Sequence, residues 1–118
     1  MTTQEIANRL VHLCRNGKVE EAKEELFSEN IVSIEPVEGL LPKEIKGMEA
    51  IRKKAQLFVS HVEDFYGDTI SDPVIAGDYF SLTWNTDLKM KGQPRQMNRE
   101  ICVYKTKDGK IVSEQFFY

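Results

Sequence analysis

The fold is decided by residues 48–62, MEAIRKKAQLFVSHV, and by the later stretch of residues 78–90, DYFSLTWNTDLKM. In the first stretch the apolar residues recur at helical spacing, which predicts a long helix with one apolar stripe: Met48, Ile51, Ala55, Phe58, Val59 and Val62. In the second stretch apolar and polar residues alternate, which predicts a strand whose core-facing residues are Phe80, Leu82, Trp84, Thr86, Leu88 and Met90. A change of period from 3.6 to 2 within one short chain predicts an α+β fold.

The N-terminal part of the chain predicts a hairpin of two short helices. Thr2 and Glu5 have the spacing of a capping box, and Gly17 is expected to end the first helix. A second helix is expected from Val19 to Phe27, followed by a turn at residues 28–30. A short strand from Ile31 to Glu35 then stops at Pro36, and residues 36–46 are expected to form a surface loop.

The C-terminal part predicts two strands joined by a tight turn. Residues 96–106 and 111–118 are the expected strands, and residues 107–110, KDGK, suit a hairpin with Gly109 in the left-handed conformation. If Gly109 makes a bulge, Thr106 lies opposite Lys110.

This register sorts the side chains of the last two strands onto two faces. The predicted inner face carries Asn98, Glu100, Cys102, Tyr104, Val112, Glu114, Phe116 and Tyr118. The predicted outer face carries Met97, Ile101, Val103, Ile111 and Phe117. Because both faces are partly apolar, we expect helices to cover the inner face and a second copy of the chain to cover the outer one, as a homodimer.

Composition limits the class of protein. The chain has 118 residues, 41% of them hydrophobic, and a net charge of −3, with basic residues scattered along the sequence. Nucleic acid and membranes are therefore not expected as partners. Cys14 and Cys102 lie far apart in sequence and no secretory segment is evident, so a reducing, cytoplasmic location is expected.

Four short motifs, in this order and spacing, resemble the nuclear transport factor 2-like superfamily. They are FSEN at 27–30, IEPV at 34–37, GMEAIR at 47–52 and DGKIV at 108–112. The similarity is strongest to the SnoaL-like branch, which is grouped with the polyketide cyclases and ketosteroid isomerases. The resemblance implies a single domain over residues 1–118 with a cystatin-like cone, in which a helix hairpin and a long third helix pack on a curved antiparallel sheet around a ligand cavity.

The resemblance also implies functional positions. Glu35 occupies the place of the proton-shuttling carboxylate of the steroid isomerases. The oxyanion-donating Tyr of that family falls near Leu10, and its protonated Asp falls at Cys102 or Ile101, so neither donor is reproduced. This departure argues against steroid isomerisation and leaves other carbonyl chemistry open.

Three carboxylates are the candidate catalytic residues. A buried Glu35 facing an apolar pocket would have its pKa raised by desolvation, which suits a general base or acid. The alternative is a surface Glu that caps the following loop. Glu114 and Glu100 are expected on the inner face, although a register shift by one residue would direct both to solvent.

The expected ligand is a hydrophobic small molecule. Its predicted lining is formed by Trp84, Leu88, Met90, Phe58, Cys102, Phe116 and Tyr118. The large apolar side chains among these could equally fill the core, and a buried strand cysteine such as Cys102 is usually inert. No metal-ligand or phosphate-loop spacing is present, so neither a metal nor a cofactor is expected.

Three functions remain open from the sequence. The first is a cofactor-free isomerase, cyclase or dehydratase in which Glu35 is the base and Glu114 or Glu100 is its polar partner. The second is a non-catalytic ligand-binding module, and the third is a protein-interaction module of the same fold.

Overall fold

The computed structural model describes residues 1–118 and shows the predicted α+β fold, with three helices packed on a curved mixed sheet. The elements in chain order are α1 (Thr3–Arg15), α2 (Val19–Leu26), β1 (Phe27–Ile34), β2 (Glu44–Lys46), α3 (Met48–Ser60), β3 (Val62–Ile70), β4 (Val74–Ala76), β5 (Tyr79–Met90), β6 (Arg95–Lys107) and β7 (Lys110–Phe117).

The helix hairpin is confirmed in detail. The backbone N–H of Glu5 donates to the Thr2 side chain at 3.2 Å, and the backbone N–H of Thr2 donates to the Glu5 carboxylate at 2.8 Å. This capping box satisfies two N–H groups that the first turn of a helix otherwise leaves free. The buried side of α1 includes Ile6, Leu10 and Leu13.

The sheet order is β2-β1-β7-β6-β5-β3, and β4 adds to the end of β5. Its pairs are antiparallel, as predicted, except that β1 runs parallel to β7. The predicted turn at residues 28–30 is wrong, because these residues belong to β1 and form an irregular segment between Phe27 and Val32. β2 lies in the predicted loop, and β3 and β4 lack the alternation that made β5 recognisable.

The β6–β7 turn is confirmed, but its register is not the predicted one. Asp108 and Gly109 have φ values of 51° and 78°, as a two-residue type I′ hairpin requires. Lys107 pairs with Lys110, and Thr106 pairs with Ile111 instead of Lys110. A bulge follows, because Lys105 pairs with Ser113.

The bulge leaves Val112 as the extra residue of β7 and puts Ile111, which is fully buried, on the core side. The prediction of Val112 on the inner face and Ile111 on the outer face is therefore wrong. Beyond the bulge the pairing differs from the predicted one by two residues, so Tyr104 lies opposite Glu114 and Cys102 lies opposite Phe116. A shift of two preserves the face of each side chain, and Glu114 and Phe116 keep their predicted side.

The main core lies between the helix hairpin and the sheet. Ile6, Ala22, Leu26 and Ile31 are fully buried there, and the Phe80 and Tyr104 rings stack at 4.8 Å. None of the helices has the length and apolar character needed to cross a bilayer.

The apolar stripe predicted for the third helix is covered at only one end. Met48 and Ile51 are buried, whereas Val59 is 67% exposed and Val62 already belongs to β3. The prediction that Val59 and Val62 pack as part of this helix is therefore wrong. Periodicity identifies the apolar side of a helix, but the length over which another element covers that side is a tertiary property.

The outer face of the sheet, defined by Met97, Ile101 and Phe117, is open in the single chain. These three side chains are 43%, 50% and 45% exposed. The homodimer through this face stays a prediction, as does the cytoplasmic location.

Candidate functional site

The alternation of β1 brings Ser33 and Glu35 to the same side as the core residue Ile31. Ser33 is fully buried and Glu35 is 4% exposed. The backbone N–H of Glu35 donates to the carbonyl of Lys43 at 2.7 Å, which fixes the chain where Pro36 ends the strand. The predicted burial of Glu35 is therefore confirmed, and its reading as a surface loop cap is excluded.

Lys54 of α3 is the partner of both residues. Its Nζ atom lies 3.0 Å from Oε1 of Glu35 and donates a hydrogen bond to Oγ of Ser33 at 2.8 Å. The side chains of Lys54 and Glu35 are only 10% and 5% exposed, so the ion pair is buried. Glu35 therefore has a counter-charge beside it and does not face a purely apolar pocket.

Ser33 continues the contact to β7. Its hydroxyl donates to Oε1 of Glu114 at 2.8 Å, a contact set up by the parallel pairing of the two residues. Burial raises the pKa of Glu114, while the Ser33 hydroxyl and the Lys54 ammonium act in the opposite direction. Glu35, Lys54, Ser33 and Glu114 form a continuous series of contacts, called here the polar chain.

Glu100 lies on the inner face of β6, opposite Trp84 of β5. Burial raises the pKa of Glu100 to about 7, and the charges of Glu35 and Glu114 act in the same direction. The Cys102 thiol donates to Oε1 of Glu100 over 3.6 Å. A carboxyl group with this pKa can both accept and release a proton near neutral pH.

Cys102 itself has the properties of a structural cysteine. It is fully buried. Burial is the main cause that raises the pKa of its thiol, and the charge of Glu100 is the second. A thiol held in its protonated form is a weak nucleophile, which favours the inert reading of this residue.

One polar atom of the site has no partner. Oε2 of Glu35 is buried and has no hydrogen-bond partner at close range, whereas Oε1 is engaged by Lys54. Two aromatic side chains lie near this ion pair. The Phe116 ring centroid is 4.9 Å from Nζ of Lys54. The pKa of Tyr118 is raised, first by partial burial, then by the charges of Glu35 and Glu100, and last by a hydrogen-bonding interaction of its hydroxyl with Glu35.

The other predicted lining residues lie elsewhere on the inner side. Trp84 is partly buried and its indole N–H donates to Asp68 at 2.9 Å, so this ring has a fixed orientation. Leu88 is fully buried but outside the main core, and it pairs with Gln96, about 13 Å along β5 from Trp84. Met90 and Phe58 are half-buried. The structure thus brings Glu35, Glu114 and Phe116 around Lys54, and places Leu88 and Met90 further along the sheet.

Two open depressions of about 470 and 400 Å³ lie away from the polar chain. The first is a polar groove beside α1, bounded by His12, Arg15 and Asp72. The second lies on the outer face near Arg99, Ile101 and Phe117, and Glu100 also contributes to it. Neither depression reaches Glu35 or Lys54, so the geometry and burial of the ionisable groups, and not the open volume, identify the candidate site. No three metal-ligating side chains converge in the structure.

Sequence reasoning missed Lys54 and Ser33. A signal was present for each, because Lys54 lies three residues after Ile51 and four before Phe58 on the apolar side of the helix. Ser33 lies between Ile31 and Glu35 in the period-2 pattern of β1. A polar residue at a core position is informative, because it must find a partner there.

Comparison with known proteins extends these findings. The family model for the SnoaL-like domain matches residues 1–118. A candidate SnoaL-like polyketide cyclase from Mesorhizobium loti is 32% identical, with full coverage of both chains and a TM-score of 0.94. A search of the curated proteins finds no match.

Two more distant structures share the fold. A protein of unknown function with a cystatin-like fold from Xanthomonas campestris has a TM-score of 0.84 at 18% identity, over 99% of this chain and 90% of that one. A nuclear transport factor 2-like protein from Burkholderia pseudomallei has a TM-score of 0.81 at 9% identity, over 100% and 92%. The predicted SnoaL-like branch is therefore confirmed, and the two distant structures show the same fold.

Proposed function

The chain belongs to the SnoaL-like domain family, and from this premise we propose that it binds a hydrophobic small molecule between α3 and the inner face of the sheet and moves a proton on it. The reaction class is isomerisation, cyclisation or dehydration next to a carbonyl group. The main support for the proposal is the cluster of ionisable side chains at this site. Among them, Glu100 has a pKa of about 7, which allows it to exchange a proton near neutral pH.

Glu100 is our first choice for the proton-transfer group. A general base works best when its pKa is close to the operating pH, and about 7 meets that condition. Glu35 at the family position stays the alternative base. Its Oε1 atom is already engaged by the Lys54 ammonium.

The polar chain has a supporting part in this proposal. Lys54 compensates the charge of Glu35, and Ser33 connects Lys54 to Glu114. Such connected contacts hold the site rigid, so that a ligand meets groups already in position.

The proposal can be tested with nitrobenzisoxazole, a flat apolar probe whose ring opens when a base removes its one reactive carbon-bound proton. We expect ring opening above the buffer rate, with a rate that rises through about pH 7 and then levels off, as ionisation of Glu100 requires. Glu100→Gln should lower the rate about 100-fold or more, whereas Glu24→Gln, at an exposed position of α2, should leave it unchanged.

A rate that survives in Glu100→Gln and disappears in Glu35→Gln would move the base to Glu35. The absence of any rate above buffer would favour the second candidate function, a non-catalytic binding module. The buried ion pair favours that alternative specifically, because it offers fixed polar contacts to a bound molecule.

A further inference from the structure

Trp84 lies next to Glu100 and has no part in the proton transfer proposed above. The two residues are directly opposite each other on β5 and β6, and both side chains are half-buried on the inner side of the sheet. Residues paired in this way have Cβ atoms about 5 Å apart on the same face. On the other side of β6 the pairing with β7 ends at Ile101, so Trp84 is the one residue paired with Glu100.

Asp68 fixes the direction of the indole ring. The indole N–H donates to Oδ2 of Asp68, on β3, at 2.9 Å. The N–H group lies on one edge of the indole, and the opposite edge consists of carbon alone. Because β5 lies between β3 and β6, a ring whose N–H edge is directed to β3 turns its carbon edge to the side of Glu100.

We propose that Trp84 is a positioning residue for Glu100, and that its indole, held by Asp68, forms an apolar wall that keeps water from one side of the Glu100 carboxyl group. This inference rests on the proton transfer proposed above and adds the residues that adjust its base. An apolar neighbour disfavours the charged form of a carboxyl group and leaves the protonated form almost unaffected. Burial is the largest of the causes that raise the pKa of Glu100, as this arrangement requires.

Other titratable groups also act on Glu100. Those that face Glu100 or its wall are Cys102 of β6, Glu114 of β7, Tyr118 after β7, Glu35 after β1, Lys54 of α3 and Asp68 of β3. After burial, the hydrogen bond from Cys102 lowers the pKa of Glu100. The charges of Glu35 and Glu114 raise it, and the charge of Lys54 lowers it. All these groups remain when Trp84 is replaced, so the effect of that replacement on the titration of Glu100 measures the wall.

The test is a carbon-detected NMR titration of the Glu100 carboxyl in variants of the wall. The native midpoint is expected at about pH 7, and Trp84→Ala, which lets water reach the carboxyl group, should move it to about pH 6 or below. Trp84→Phe keeps an apolar ring and should stay within about half a pH unit of the native midpoint. The rise of the ring-opening rate with pH should move by the same amount in each variant.

Leu88→Ala is the matched control for Trp84→Ala. Leu88 is fully buried on the same face of β5, about 13 Å from Trp84. Its truncation should lower stability by leaving a cavity and should not move the Glu100 midpoint. Equal shifts of the midpoint in Leu88→Ala and Trp84→Ala would contradict a specific role of the indole.

Asp68 is tested by two substitutions that remove the same charge. Asp68→Asn retains an oxygen acceptor for the indole N–H, whereas Asp68→Ala does not. The Glu100 midpoint should therefore be lower in Asp68→Ala than in Asp68→Asn by about half a pH unit or more, because only Asp68→Ala releases the ring. Equal midpoints in these two variants would contradict the part assigned to Asp68.

Trp84 is also the one tryptophan of the chain, so its fluorescence reports on the wall without any substitution there. The emission of the native protein should change with pH through the same midpoint as the Glu100 resonance, and this transition should be missing in Glu100→Gln. An emission that does not follow the Glu100 midpoint would overturn the inference, and so would an unchanged midpoint in a folded Trp84→Ala variant. If Trp84→Ala does not fold, the native emission and the two Asp68 variants decide the question.

These outcomes are separate from those of the ring-opening assay. A Glu100 midpoint that is near pH 7 and falls in Trp84→Ala, without ring opening of nitrobenzisoxazole, would keep the wall and remove the proton transfer. Ring opening by a Glu100 carboxyl whose midpoint does not respond to Trp84→Ala would keep the proton transfer and remove the wall.

Discussion

Nζ of Lys54 lies 3.0 Å from Oε1 of Glu35, and both side chains are at least nine-tenths buried. Lys54 is on α3, the third helix, and Glu35 directly follows β1. The contact therefore joins the two layers of the fold through a charge pair at the place where the family resemblance puts its functional carboxylate. Its energetics can be tested separately from any ligand.

Removal of either partner should strongly destabilise the protein. Lys54→Met leaves the Glu35 charge buried and alone, which typically costs about 3–5 kcal/mol in the free energy of unfolding. The double variant Lys54→Met/Glu35→Gln should lose much less than the sum of the two single variants, because no uncompensated charge remains. Urea unfolding of the native protein and the three variants measures this coupling.

The neighbouring residue supplies a matched control for that experiment. Lys53 also contacts a glutamate, Glu49, but the two side chains are 74% and 83% exposed. Lys53→Met should change the free energy of unfolding by less than about 1 kcal/mol. Equal effects of Lys53→Met and Lys54→Met would contradict the buried ion pair.

Ser33→Ala should weaken the connection between Lys54 and Glu114. The variant removes the hydroxyl that donates to Glu114 and accepts from Lys54, with an expected loss of about 1–3 kcal/mol in unfolding free energy. Because the Ser33 hydroxyl lowers the pKa of Glu114, the pKa of this carboxyl should rise further in the variant. A carbon-detected NMR titration of both proteins checks the direction, and an unchanged or lower value would count against the contact.

Glu100→Gln should alter the pH dependence of stability. In the folded protein the pKa of Glu100 is about 7, above the value of about 4.3 expected when the chain is unfolded. Between these values the folded state binds more protons, so this residue makes stability fall as pH rises from about 4.3 through 7. Replacement by Gln removes that loss. The free energy of unfolding of the variant, relative to that of the native protein, should therefore be higher at pH 8 than at pH 4. A difference that does not vary with pH would contradict the assignment.

The outer face should mediate the predicted homodimer. Ile101 and Phe117 are paired across β6 and β7 and are 50% and 45% exposed. Light scattering at micromolar concentration should give the mass of two chains, and Ile101→Lys should give the mass of one, because it places a charge in the apolar contact. Val74→Lys, at a 70% exposed position of β4, should remain dimeric. A monomeric native protein would remove this prediction.

The elements predicted correctly from the sequence are those with strong local signals. Thr2 and Glu5 identify the start of α1, and Asp108-Gly109 identifies the last hairpin, because these residues form the structure through contacts with near neighbours. The predicted faces of Glu100 and Glu114 also hold, since a register error of two residues preserves the side of a strand.

What could not be predicted depends on contacts between distant residues. The bulge at Val112 has no separate local signal beyond the turn, and it displaces the pairing of every later residue of β7. The helical spacing places Lys54 on the apolar side of α3, but only the fold shows that its partners there are Ser33 and Glu35. The parallel pairing of Ser33 with Glu114 joins residues 81 positions apart, which no local pattern records.

The central claim is that the partly buried carboxyl group of Glu100, beside the polar chain, exchanges its proton near neutral pH. The direct measurement is a carbon-detected NMR titration of the Glu100 carboxyl, assigned through Glu100→Gln. The account predicts a midpoint at about pH 7, set mainly by burial. A midpoint near the model-peptide value of about 4.3 would contradict it, because Glu100 would then be a solvated anion with no special capacity for proton transfer.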